Sequence, residues 1–131
     1  MITLDASAAV EMLRGGSLAD LLWTELLASG EPLIVPHLLD IEATSALRRL
    51  ASEERIDSHR AQQFIEALER LPAKRYEHTA LLSRIWELRH NFTCYDATYI
   101  ALAEATGAVL YTCDRKLGKG HRARVKVLAE N

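Results

Sequence analysis

The feature that most restricts how this chain can fold is an alternation of short strand-forming runs with long stretches of helical period. Candidate strands are ITL at 2–4, LIV at 33–35, KRYE at 74–77, AVLYT at 108–112 and VKVL at 125–128. Between them, residues 19–29 are apolar at Leu22, Trp23, Leu26 and Leu27, and residues 37–54 carry Leu39, Ala43, Ala46, Leu47 and Leu50 on one face. Further helices are expected over 58–71, capped by Asp57 or Ser58, over 79–89, and over 95–106, the last closed by Gly107 in a left-handed cap. Strands alternating with helices predict an α/β domain built on a mainly parallel sheet with helices on both faces. The near-continuous apolar character of the strands agrees, because parallel strands are buried on both sides.

At 131 residues the chain suits one compact domain, so residues 1–131 are read as a single unit. Its N-terminus places an acid at position 5 and lacks the basic start of a secretory leader, and no apolar run approaches the ~20 residues of a membrane span. Cys94 and Cys113 are too few for a disulfide framework and lack metal-motif spacing, which points to free thiols in a reducing cytoplasm. Sixteen Lys and Arg against 18 Asp and Glu give a net charge of −2, which announces no nucleic-acid binder. The distribution is more informative, because Arg115, Lys116, Lys119, Arg122, Arg124 and Lys126 follow one another with no acid among them. Such a run can contact phosphates, or can simply be a solvated surface.

In open parallel sheets, sites form beyond the carboxyl ends of the strands, where helix N-termini also point. Four acids fall there. Asp5 ends the first strand, Asp114 follows AVLYT, Asp96 opens a helix, and Glu42 borders an apolar stripe in the helix after LIV. Each has a local alternative: Asp5 as a helix cap, Asp96 as the end of the capping box Thr93-Cys94-Tyr95-Asp96, Asp114 as a turn residue, Glu42 as a snorkelling side chain. Taken together the alternatives weaken, since four caps have no reason to converge on one sheet edge. Clustered carboxylates repel one another unless cations neutralise them, and an all-oxygen donor set favours one or two Mg²⁺ or Mn²⁺ ions over zinc. Asp5 and Asp96 are the expected direct ligands, with Glu42 and Asp114 acting through water or on a second ion.

ITLDAS, Glu42 and the block YDATYIALAEATGAVLYTCDRKL (95–117) resemble PIN-domain ribonucleases, closest to the VapC-like toxins of bacterial toxin–antitoxin pairs, over the whole chain. The resemblance implies a three-layer α/β/α domain whose acids Asp5, Glu42, Asp96 and Asp114 bind metal and cut RNA. Ser7 and Thr112 match the small hydroxyl residues that accompany the first and last acids in such proteins, and Arg115, Lys116, Lys119 and Arg122 are candidate RNA phosphate contacts. It also implies a homodimer, and a small DNA-binding antitoxin that blocks the acidic pocket. Apolar side chains outside the main stripes of 19–29 and 37–54, Ile41 among them, call for a covering partner. A basic side chain from the antitoxin, Arg above all, would relieve the repulsion among the acids.

Other classes stay open at this point. A receiver-like phosphoacceptor also gathers acids at strand ends but needs a paired acid at the first strand, where ITLDAS offers one. A phosphatase with an aspartyl nucleophile needs D-x-D, and position 7 is Ser7. A catalytically silent PIN-fold binding module would keep the fold without the chemistry. The five histidines and the two tryptophans are read as surface, helix-end, core or interface residues, with His121 singled out by its place in the basic run.

Overall fold

The computed structural model describes residues 1–128. Five strands, β1 (Ile2–Leu4), β2 (Leu33–Pro36), β3 (Ala73–Tyr76), β4 (Val109–Thr112) and β5 (Arg124–Val127), form one sheet in the order β3-β2-β1-β4-β5. Every pairing is parallel, with Ile2 opposite both Leu33 and Val109. The helices are α1 (Ala6–Leu13), α2 (Ala19–Ser29), α3 (Leu38–Ser52), α4 (Ser58–Glu69), α5 (Leu82–Glu87) and α6 (Cys94–Thr106). Helices α1 to α4 pack among themselves, as do α5 and α6, and α6 lies on β1, β2 and β4. The result is a three-layer α/β/α arrangement, as the alternation of strands and helices requires.

The central strands bury completely: Leu4, Val35 and Leu110 have no exposed surface, and Ile34 has 2%. The edge strands do not. In β5, Arg124 and Lys126 face solvent between half-buried Val125 and Val127, a pattern of edge charge that discourages pairing with another sheet. A smaller core of Ala43, Leu47, Phe64 and Leu68 joins α3 to α4. Local signals place the helix ends where they were expected. Asp57 accepts the Arg60 N–H at the start of α4, the Thr93 hydroxyl accepts the Asp96 N–H at the start of α6, and Gly107 closes α6 at φ 75°.

Two local readings change and one helix is added. The helix expected over 79–89 is a 3₁₀ turn, Thr79–Leu81, followed by the short α5, and neither start has a side-chain cap. Helix α1 is eight residues long and buries only Ala8, Ala9 and Met12, too weak a period to stand out in the sequence. Trp86 is 63% exposed under the Arg89 guanidinium, so of the core and interface readings it is not core.

The connectivity creates the site. From β1 the chain steps outward to β2 and β3, then returns past β1 to β4 and continues to β5. The order therefore reverses between β1 and β4, and the crevice beyond their carboxyl ends is the topological switch point where open α/β sheets bind ligands.

Candidate active site

Asp5 leaves β1 at this crevice, and its N–H is held by the Tyr111 carbonyl of β4. Its carboxylate is 4% exposed and accepts three hydrogen bonds. Oδ1 takes the Ser7 hydroxyl at 2.7 Å and the Ala8 N–H at 2.9 Å, and Oδ2 takes the Thr112 hydroxyl at 2.5 Å. The two hydroxyls also accept: Ser7 Oγ receives the Cys113 N–H and Thr112 Oγ1 receives the Asp114 N–H. With both hydroxyl protons committed to Asp5, the 3.4 Å approach of Ser7 Oγ to Thr112 Oγ1 is a contact of two acceptors. Ser7 and Thr112 thus bridge β1 to β4 through one carboxylate.

The other acids arrive from both helical layers. Glu42, in the second turn of α3, is half-buried, and its Oε1 accepts the phenolic proton of Tyr99 from α6 at 2.5 Å. Tyr99 is 1% exposed, so its hydroxyl has no solvent alternative. Asp96 sits in the first turn of α6. Asp114 follows β4 and caps a 3₁₀ turn, Arg115–Gly118, by accepting the Lys116 N–H at 2.9 Å.

The acids feel one another's charge. Burial raises the Asp5 carboxyl above its ordinary value against the pull of its three donors, and Asp114 raises it further. Glu42 is raised first by burial, then by Asp96 and Asp5 despite the Tyr99 hydrogen bond. Asp96 is raised by burial and by the charges of Asp5 and Asp114, with the Thr93 hydroxyl and then Lys116 opposing. Tyr99 is pushed strongly upward by burial and by Glu42, which keeps it a proton donor. Among the described residues, however, no three His, Cys, Asp or Glu side chains are grouped closely enough to grip an ion by themselves. The four acids share one electrostatic environment rather than a closed ligand cage.

A family model described as PIN domain matches residues 2–121. The chain is 39% identical over 127 residues to VapC ribonuclease Mb0985 of Mycobacterium bovis, covering 97% of this chain and 96% of that protein. It is 40% identical over 114 residues to Ribonuclease VapC1 of Mycobacterium tuberculosis, covering 86% and 85%. The chain belongs to the PIN-domain family. The crystal structure of PAE2754 from Pyrobaculum aerophilum matches this PIN domain with a TM-score of 0.73 at 26% identity, over 95% of this chain and 81% of that one.

Two features of this PIN domain escaped the sequence reading. The first is Tyr99, visible only as one residue of an apolar helix, with nothing local to mark its reach to Glu42, 57 positions earlier. The second is that the basic run divides. Arg115, Lys116 and Lys119 are exposed beside Asp114, whereas the Arg122 guanidinium faces Glu104 at 3.7 Å. His121 is occupied by its own loop. Its Nδ1 accepts the Ala123 N–H and its Nε2 lies 2.6 Å from the Leu117 carbonyl, which assigns the proton to Nε2. Asp40, two residues before Glu42, is bound to Arg75 in a two-pronged ion pair at 2.7 and 2.9 Å. Both cysteines are free thiols.

Proposed function

We propose that this PIN domain is a Mg²⁺- or Mn²⁺-dependent endoribonuclease and the toxin of a toxin–antitoxin pair, working in the cytoplasm. The observation that carries the reading is the buried Asp5 at the β1/β4 switch point, coupled in charge to Glu42, Asp96 and Asp114. The 39% identity to a protein named a VapC ribonuclease supports the RNA substrate. Nothing favours the phosphoacceptor alternative, since the first strand ends in a single acid.

The donor chemistry fits the ion. All four acids offer oxygen, three of them are held above their ordinary values, and a hard dication relieves both burial and repulsion. Mg²⁺ keeps several waters and can be completed by substrate phosphate, so it asks for few direct protein ligands. Asp5 and Asp96 would hold it directly, with Glu42 and Asp114 through water or at a second ion. When bound, the metal supplies charge neutralisation for an anionic phosphodiester and activation of water. The chain's own residues do the rest. Ser7 and Thr112 fix both oxygens of Asp5, Tyr99 fixes one oxygen of Glu42, and Lys116 and Arg115 lie exposed where they can meet phosphate.

Exposed apolar side chains point to partners. Leu27 is 79% exposed on α2 and Ile41 68% exposed on α3, and a second subunit or an antitoxin segment would cover such side chains. The antitoxin, a small DNA-binding protein, would place an arginine among the acids. The test is cleavage of structured RNA by the purified chain with Mn²⁺. Cleavage abolished by EDTA and by Asp96→Asn is expected, and cleavage that survives both would refute the reading.

A further inference from the structure

A groove leaves the acidic crevice between α1 and α3 and ends at α4. On α1, Ser7 and Val10 share a face that continues to the cap residue Arg14; on α3, Glu42, Ala46, Arg49 and Glu53 recur at the same spacing of three and four. Three cavities occupy the space between these faces and share their walls. The first, of 300 Å³, begins at Ser7 and Glu42 and reaches Val10, Ala46 and Arg49. The second, of 330 Å³, shares those three residues and adds Arg14, Leu50 and Arg55. The third, of 350 Å³, keeps Arg14, Leu50 and Arg55 and ends at Asp57 and Arg60. From Glu42 to Arg49 is seven residues of helix, or about 10 Å.

The charge along this path is positive where it is free. Glu11 is spent on Arg14 at 3.0 Å and on the Leu18 N–H, Asp57 caps α4, and Glu53 faces Arg55 at 3.5 Å. Among the described residues Arg49 has no carboxylate partner and Arg60 makes a side-chain bond only to the Arg14 carbonyl, at 3.0 Å. Two guanidinium groups therefore remain to bind a ligand, and the exposed Arg14 and Arg55 stand beside them. A protein segment held here would need apolar anchors, which the far part of the groove scarcely provides. A phosphate backbone needs only the cations.

We propose that this groove is a substrate subsite: the phosphates of a single-stranded RNA, on one side of the bond at the acids, run along it past Arg49 to Arg60. The inference rests on the ribonuclease reading and adds a set of phosphate contacts on the side of the site away from the Arg115–Lys119 run. It is tested by fluorescence anisotropy of a labelled, unstructured oligouridylate of roughly 12 nucleotides, a length within the range of single-strand sites. EDTA is present, so that binding is read without cleavage. Arg49→Ala with Arg60→Ala should weaken binding on the order of 10-fold and lower the slope of log affinity against log salt by about 1.4, at ~0.7 for each phosphate no longer neutralised. Arg49→Lys with Arg60→Lys should restore most of that slope. Arg48→Ala with Arg70→Ala removes the same charge outside the groove and should change little. Thermal melts check that each variant folds. An unchanged slope in the groove variant, or an equal loss in the control pair, overturns the subsite while Mn²⁺-dependent cleavage by the unaltered chain leaves the ribonuclease standing. Unaltered protein that neither binds nor cuts RNA overturns both. Unchanged RNA binding with weakened binding of a polyglutamate peptide would assign the groove to an acidic protein partner and overturn the subsite.

Discussion

Replacing Thr112 with valine isolates the hydroxyl that ties Asp5 to β4. Valine keeps the shape of the side chain and suits a central strand, so the fully buried site neither empties nor overfills. What disappears is the donor to Asp5 Oδ2 and the acceptor of the Asp114 N–H. A hydrogen bond to a charged group contributes about 1.5–3 kcal/mol and an ordinary one about 1 kcal/mol, so the metal-free variant should lose about 2.5–4 kcal/mol at neutral pH. With the urea dependence of a small domain, the unfolding midpoint falls by roughly 1–2 M. The sign of the pH dependence is fixed by Asp5. Its folded value lies above the ordinary 3.8, so the ionised carboxylate costs stability at neutral pH, and the cost is recovered as pH falls through the folded value. Thr112 is the strongest influence holding that value down, so its loss enlarges the neutral-pH cost and the penalty shrinks on acidification. Thr112→Ser, which keeps the hydroxyl, should recover most of the loss. Urea titrations in EDTA at neutral and acidic pH measure all three proteins. A penalty below about 0.5 kcal/mol, the range of an indifferent substitution, or one equal at both pH values would refute the reasoning.

Asp114→Asn should melt at the same or a higher temperature without metal, because a charge facing Asp5 and Asp96 is gone, yet lose Mn²⁺-dependent cleavage; retained cleavage would return Asp114 to a turn role. Tyr99→Phe removes the hydrogen bond that holds the Glu42 carboxylate and should cost about 1.5–3 kcal/mol at neutral pH while weakening Mn²⁺ binding read by calorimetry. Unaltered Mn²⁺ affinity would make Tyr99 a packing residue alone. Glu104→Gln breaks the two-pronged bond to Arg84 at 2.7 and 3.0 Å, with the Glu104 side chain 8% exposed, and should cost about 3 kcal/mol in urea. Glu104 is held below its ordinary 4.5, so the stability it gives is present above that value and is lost as pH falls through its folded value; a loss independent of pH would contradict the ion pair.

What the sequence made legible was whatever rests on neighbours in the chain. The apolar runs of β1, β2 and β4 mark strands buried on both faces, and Asp57, Thr93 and Gly107 act within a few residues of where they stand. Placement of the four acids at strand ends and helix starts was legible for the same reason, given a parallel sheet. The interactions that shape the site are not local. Thr112 meets Asp5 across 107 positions, Tyr99 meets Glu42 across 57, and the Arg14–Arg60 contact crosses 46. Each of these partners belongs to, or caps, a helix or strand that its own segment explains, so no local pattern is left over to announce the contact. The strand order, and with it the switch point between β1 and β4, is likewise a property of pairing rather than of any run of residues.

Capping and chemistry were rival readings of the acids, and the geometry makes them compatible. A carboxylate offers about four acceptor positions. Asp5 uses three of them, one to start α1 and two to receive the hydroxyls of Ser7 and Thr112, which leaves a single direction open to the crevice. Asp114 uses Oδ1 to start its 3₁₀ turn, and its other oxygen makes no protein hydrogen bond among the described residues. In α6 the cap is Thr93, whose hydroxyl takes the Asp96 N–H. Helix starts at a sheet edge thus hold Asp5 and Asp114 in place while each keeps an acceptor position to turn toward its neighbours. The same partial positive ends of the helices offset some of the repulsion that the cluster creates. An acid that caps is consequently better placed to serve a cation than a free one, because its orientation is already fixed by the fold.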